Sequence, residues 1–224
     1  QVLSYGPCSI IVGFDITANG GEEITEAGCY YAENAEDVEE SGDGDATTTQ
    51  QKAKIENYQG AIGAQQVKLN DLKFNTTYRI WAYAQNRVGE TKSQAITFRT
   101  SDAVKLQEAG KLSELMGKHL YEYTQLTIAG DLNGDDLRCL RTMAGRNINN
   151  ETTEGKLADI NLADAHIVAG GGDFGPYHRH TENQVVGQGF LAQCNQLSHI
   201  ILPSDVIKIE KDAFADCTSL REIE

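Results

Sequence analysis

The sequence predicts two domains, an all-β two-sheet sandwich followed by an α/β solenoid of stacked repeats. Three observations predict it. Residues 78–85 alternate strictly, with Tyr78, Ile80, Ala82 and Ala84 on one side and Arg79, Trp81, Tyr83 and Gln85 on the other, the period-2 signature of a strand with two different faces. Cys194, Leu197 and Ile200 recur as Cys217, Leu220 and Ile223, a fixed step that points to stacked units. The residue pattern also changes character near position 101 in a chain of 224 residues, more than one compact domain usually holds.

In the first half, further strands are expected at Ser9 to Thr17, Ala27 to Ala32, Lys54 to Tyr58, Gln65 to Leu69 and Ala95 to Thr100. Turn-rich pieces separate them, such as Asn19-Gly20-Gly21, Ser41 to Gly44 and Asn86 to Glu90. About seven short strands in about 100 residues, with no helical period, favour a sandwich.

Leu72, Thr76 and Tyr78 fall where the L-x-P-x-T-x-Y motif of fibronectin type III domains has its leucine, threonine and tyrosine, with Phe74 in place of the proline. The segment Ala82 to Gly89 resembles a stretch found in type III-like modules of bacterial surface proteins, as does Gly20 to Tyr30. The resemblance spans nearly all of residues 2–101. It implies an immunoglobulin-like sandwich in which the Tyr78 hydroxyl bonds to backbone upstream, acting as a spacer or binding platform.

In the second half, Leu112, Leu115, Met116, His119, Leu120 and Tyr123 have helical spacing and suit a capping helix. Asp135 or Asp136 is placed to N-cap a second helix carrying Leu137, Leu140 and Met143 and closed by Gly145. Leu126 and Ile128, and then Leu157, Ile160 and Leu162, repeat the strand positions of Leu197, Ile200 and Leu202 at longer spacing, as atypical first repeats do.

The unit running from Phe190 through Cys194, Leu197, Ile200, Leu202, Pro203, Val206 and Ile209 to Phe214 and Cys217 closely resembles the BspA-type class of leucine-rich repeat. The resemblance covers about residues 111–224. It implies domains at 1–101 and 111–224, the latter a cap with the first repeats, joined by a linker at 102–110. The series breaks off at Glu224 inside a unit, which predicts a shortened solenoid.

The formal net charge is −14, with Glu33, Glu36, Asp37, Glu39, Glu40, Asp43 and Asp45 clustered in what reads as a solvated, mobile loop. Such a surface repels nucleic acid and anionic lipid. No apolar stretch approaches the roughly 20 residues of a membrane-spanning helix. Five cysteines without C-x-x-C spacing argue against zinc and against a disulfide-dense scaffold; buried free thiols are preferred, with a Cys8–Cys29 bridge left open.

Chemical motifs are weak. Asp131, Asn133 and Asp135 sit at positions one, three and five of a calcium-type loop, but Asp136 replaces the glycine at six and Thr142 the carboxylate at twelve. A turn and helix cap is the expectation. His178 and His180 offer two imidazoles without a third ligand. No nucleophile elbow, HExxH or P-loop occurs. No catalytic residue, metal or cofactor is assigned.

The expected function is non-catalytic. The BspA resemblance implies an extracellular or bacterial cell-surface protein, with lipid anchoring as an option, that mediates adhesion or protein–protein interaction. Its ligand would be an extracellular protein or glycoconjugate. The outward positions of the repeat strands supply the candidate face: Ala158, Asp159 and Asn161, then Ser198, His199 and Ile201, then Arg221, Glu222 and Glu224. A structural stalk is the alternative, as is a carbohydrate-binding module using Trp81 and Tyr83.

Overall fold

A computed structural model describes residues 1–33 and 50–224. Of the acidic run only Glu33 is included; Glu36, Asp37, Glu39, Glu40, Asp43 and Asp45, and the Ser41 to Gly44 turn, lie outside the described residues. The chain divides into two compact units. One holds Gln1–Ser4 and Cys8–Ser101, the other Tyr5–Pro7 and Asp102–Glu224.

The first unit contains β2 (Ser9–Ile16), β3 (Ile24–Glu33), β4 (Gln51–Lys54), β5 (Gly63–Leu69), β6 (Thr77–Asn86), β7 (Glu90–Lys92) and β8 (Ile96–Arg99), together with the start of β1 (Val2–Gly6). β1, β2 and β5 make one sheet, and β4, β3, β6 and β7 another, with β8 also paired to β6. The ladders of β5 on β2, and of β4, β6, β7 and β8, are antiparallel. Alternation explains the core. Ile10 and Val12 of β2, Ala27 and Cys29 of β3, Val67 and Leu69 of β5, and Tyr78 and Ile80 of β6 are buried, each large apolar side chain contributing about 1.5–3 kcal/mol. The backbone N–H of Lys73 donates to the Tyr78 hydroxyl at 2.8 Å, pinning the approach to β6.

On the other side of β3 and β6, Glu26 gathers charge. Its carboxylate meets Lys52 at 2.7 Å, pairs with Lys54 and accepts from the Tyr83 hydroxyl at 3.0 Å. The Lys52 hydrogen bond, then that of Lys54, hold the Glu26 carboxyl down at about 2. Because the folded value lies below the ordinary 4.5, this stabilisation is complete above about 4.5 and is lost as pH falls toward about 2. Urea midpoints followed by Trp81, the single tryptophan, should therefore fall more between pH 6 and pH 2.5 in the wild type than in Glu26→Gln. Equal falls would show that the cluster contributes nothing.

The second unit is built from parallel strands: β9 (Ala103–Lys105), β10 (Gln125–Leu132), β11 (Asp159–Asn161), β12 (Ala165–Ile167), β13 (Val185–Val186), β14 (His199–Ile201), β15 (Lys208–Ile209) and β16 (Glu222–Ile223). Its helices are α1 (Leu112–Met116), followed by a 3-10 turn at Gly117–His119, and α2 (Gly134–Met143). β9 falls within the span expected to be a linker. β10 pairs with β9, β11 and β12, β11 with β14, and β14 with β16, all parallel; β13 pairs with β15 likewise. Tyr5 opposes Lys105 in an antiparallel bridge. Leu126, Ile160 and Ile200 lie in register and are buried.

The expected sandwich followed by an α/β leucine-rich-repeat solenoid is overturned by this architecture. The described chain is mostly β, with antiparallel and parallel sheets and two short helices that both precede β11. Successive strand positions Gln125, Asp159, His199 and Glu222 are 34, 40 and 23 residues apart, which is no constant repeat. Helix does not form on the returning segments because left-handed residues interrupt them: Gln184, Gln193, Asp212 and Asp216 have φ of 60°, 62°, 59° and 59°, conformations incompatible with a right-handed helix. The expected capping helix also stops early, at Met116.

The N-cap of α2 is Asn133 rather than Asp135 or Asp136. Its side chain accepts from the Asp135 N–H at 2.9 Å, while the Asp136 carboxylate reaches back to the Asn133 N–H at 3.0 Å. This reciprocal pairing is a capping box. All five cysteines are free, so Cys8 and Cys29 are not bridged.

Candidate functional site

On β10, β11 and β14 the inward residues Leu126, Ile128, Ile160 and Ile200 are buried and their neighbours face away, while Ile223 of β16 stays partly exposed. Register sets Gln125 beside Asp159, Asp159 beside His199, and His199 beside Glu222, with Thr127, Asn161 and Ile201 forming a second row. Parallel pairing thus turns residues distant in sequence into one line. Glu224 is held next to it by two backbone bonds, Glu224 N–H to the Ile200 carbonyl at 3.0 Å and Leu202 N–H to the Glu224 carbonyl at 2.7 Å.

The side chains converge on His199. Its Nδ1 lies 3.2 Å from Asp159 Oδ1 and its Nε2 3.1 Å from Glu224 Oε1. One ligand-type atom each of His199, Glu222 and Glu224 lies within 4.8 Å of the others. The hydrogen bond to Glu224 raises the imidazole pKa, and Asp159 adds to the effect. Of the nine expected positions, the structure brings Asp159, His199, Glu222 and Glu224 into one cluster.

The remaining five do other things. Asn161 and Ile201 occupy the second row, and the Asn161 carboxamide oxygen accepts from the Ala163 N–H at 2.9 Å, serving its own turn. The Ala158 carbonyl accepts from the N–H of Ser198 and of His199 and from the Ser198 hydroxyl at 2.9 Å, so Ser198 aligns strands rather than facing a ligand. Arg221 is exposed.

Other clusters carry less. His178 and His180 both turn to Asp173, at 2.7 and 3.2 Å, and His166 meets Asp205 at 2.8 Å; among the described residues, neither group brings three ligand atoms within 4.8 Å of one another. Burial pushes the Cys29, Cys139 and Cys194 thiols up to about 12, which leaves little thiolate at neutral pH. Tyr83 is 2 % exposed and Lys52 sits 4.2 Å from its ring centre, so it cannot join Trp81 as a stacking platform for sugar. A cleft of about 460 Å³ in the first unit, lined by residues such as Phe14, Asn19, Asn86 and Val88, brings no comparable charged cluster together. Among the described residues, no helix is long and apolar enough to cross a membrane.

The histidine cluster was not legible as a unit in the sequence, because Asp159 lies 40 positions before His199 and Glu222 lies 23 after it, and strand register joins them. No protein-family model matches the chain, and no curated protein matches it. Among solved structures it is similar to the FN1–FN3 domains of chicken CNTN1, at 20 % identity and a TM-score of 0.31, over 45 % of this chain and 30 % of that one.

Proposed function

We propose that the chain is a non-catalytic binding module of an extracellular or bacterial cell-surface protein, taking a protein ligand with basic side chains on the outward face of β10, β11, β14 and β16. One observation carries this reading: register lines Asp159, His199 and Glu222 side by side, with Glu224 against them. Carboxylates set on strands are pre-positioned for Lys and Arg of a partner. The net charge of −14 adds long-range attraction for such a ligand and repels nucleic acid. The first unit serves as a spacer of the fibronectin type III kind in the same reading. Its antiparallel five-strand sheet of β3, β4, β6, β7 and β8 and the Tyr78 hydroxyl bond to Lys73 support that part.

The test is surface binding of the chain to a panel of matrix proteins, mucins and glycans, beside a variant carrying Asp159→Lys and Glu222→Lys. Binding to a basic protein should appear, weaken with added salt, and disappear in the variant. A signal that survives the variant would place the ligand elsewhere and sink the reading. Silence across the panel would instead favour a structural stalk.

A further inference from the structure

The imidazole of His199 is flanked by carboxylates at both nitrogens, Asp159 at Nδ1 and Glu224 at Nε2. A neutral imidazole has one N–H and one lone pair. If Nδ1–H donates to Asp159, the Nε2 lone pair points at an acceptor, and the two repel unless something positive lies between them. Protonating the ring satisfies both bonds but still leaves one cation among three carboxylates, those of Asp159, Glu222 and Glu224. A divalent cation resolves both problems together. It takes the Nε2 lone pair and offsets two of the three negative charges.

We infer that His199, Glu222 and Glu224 form a binding site for a zinc-class divalent cation, with Asp159 as the carboxylate that orients the imidazole. The Nε2 to Oε1 separation of 3.1 Å is close to the roughly 3.3 Å expected between two ligands of a tetrahedral ion with bonds of about 2.0–2.1 Å. Glu222 lies within 4.8 Å of both and is exposed, free to swing the remaining distance. The carboxylate–histidine–metal arrangement fixes the tautomer and raises the basicity of the ligating nitrogen. One nitrogen with carboxylate oxygens suits zinc-class ions better than calcium, which takes six to eight oxygens. Three protein ligands leave a coordination position for water or for a group on a partner.

The inference extends the face named under the proposed function but does not depend on its ligand. Calorimetric titration of the whole chain with Zn²⁺ alone, near neutral pH, should show a single saturable equivalent. It should be absent in His199→Gln and in Glu222→Gln/Glu224→Gln, and about 10–100-fold weaker in Asp159→Asn. It should persist in His178→Gln/His180→Gln and in excess Ca²⁺. Circular dichroism checks that each variant is folded, and the exposed positions 222 and 224 supply a pair that the core does not depend on. No saturable equivalent, or one that survives His199→Gln, overturns the site. Loss only in the His178/His180 variant overturns it equally. Loss of partner binding on charge reversal without any Zn²⁺ equivalent would remove the metal site and leave the binding face standing.

Discussion

Replacing Arg141 with alanine should destabilise the second unit by about 3–5 kcal/mol. Arg141 lies on α2, 1 % exposed, with no ion-pair partner among the described residues. Its Nη1 donates to the carbonyls of Gly189 at 2.8 Å, Phe190 at 3.4 Å and Ala192 at 3.3 Å, and its Nη2 to Asn150 Oδ1 at 2.6 Å. The guanidinium therefore satisfies the carbonyls of a loop that makes no helix or sheet of its own. Burial lowers the Arg141 pKa, so the surroundings do not favour the charge; they use its donors. Arg141→Met separates the two effects. Were the buried charge the dominant quantity, methionine would be neutral or stabilising, as apolar replacements of buried ions often are. Because unpaired carbonyls dominate, methionine should cost nearly as much as alanine, and lysine should recover less than half, lacking the planar fork. Denaturation followed by far-ultraviolet circular dichroism reads this, and Trp81 fluorescence, which reports the first unit, should shift less. A methionine variant as stable as wild type would refute the account.

How much of this could be read from sequence depends on the range of the interaction. Period-2 alternation marks β6 and the centres of β2, β3 and β5, because burial of one face is a local pattern. It misses β7 and β9, three residues each, which are too short to show a period. It also places a strand at Lys54 to Tyr58 where β4 ends at Lys54. The recurrence of Leu197 and Ile200 at Leu220 and Ile223 reflects a real register, Ile200 beside Ile223. What it does not carry is a helix between strands, and the left-handed positions at Gln184, Gln193, Asp212 and Asp216 are not glycines, so the interruption is silent in the sequence. Arg141 was unreadable for another reason: arginine is rarely fully buried, and its carbonyl partners are about 50 residues away. The histidine cluster likewise becomes visible only when β11, β14 and β16 are laid side by side.

The same logic applies to the opposite charge at the other end of α2, where Asp136→Ala should cost about 3–5 kcal/mol. Asp136 is completely buried. Its Oδ1 accepts from the Leu112 N–H at 2.9 Å, and its Oδ2 from the N–H groups of Gly110 at 2.5 Å and Asn133 at 3.0 Å. One carboxylate thus caps α2 and ties down the chain leading into α1, and removing it leaves three donors unpaired together. Burial holds the carboxyl above its ordinary value even against those three N–H groups. A folded pKa above the unfolded one means that ionisation opposes folding, so this group's contribution improves as pH falls through the folded value. The sign distinguishes two accounts. If the negative charge itself held the site, Asp136→Asn would match alanine. If acceptors are what count, asparagine should be intermediate, its carbonyl oxygen serving Gly110 and Asn133 while its amide faces the Leu112 N–H. The advantage of wild type over asparagine should then widen on mild acidification, because protonated aspartate keeps acceptor capacity without the charge. Denaturant midpoints of the three proteins followed from pH 7 down towards the ordinary carboxyl value of 3.8 decide it, and an asparagine variant as damaged as alanine would show that charge dominates.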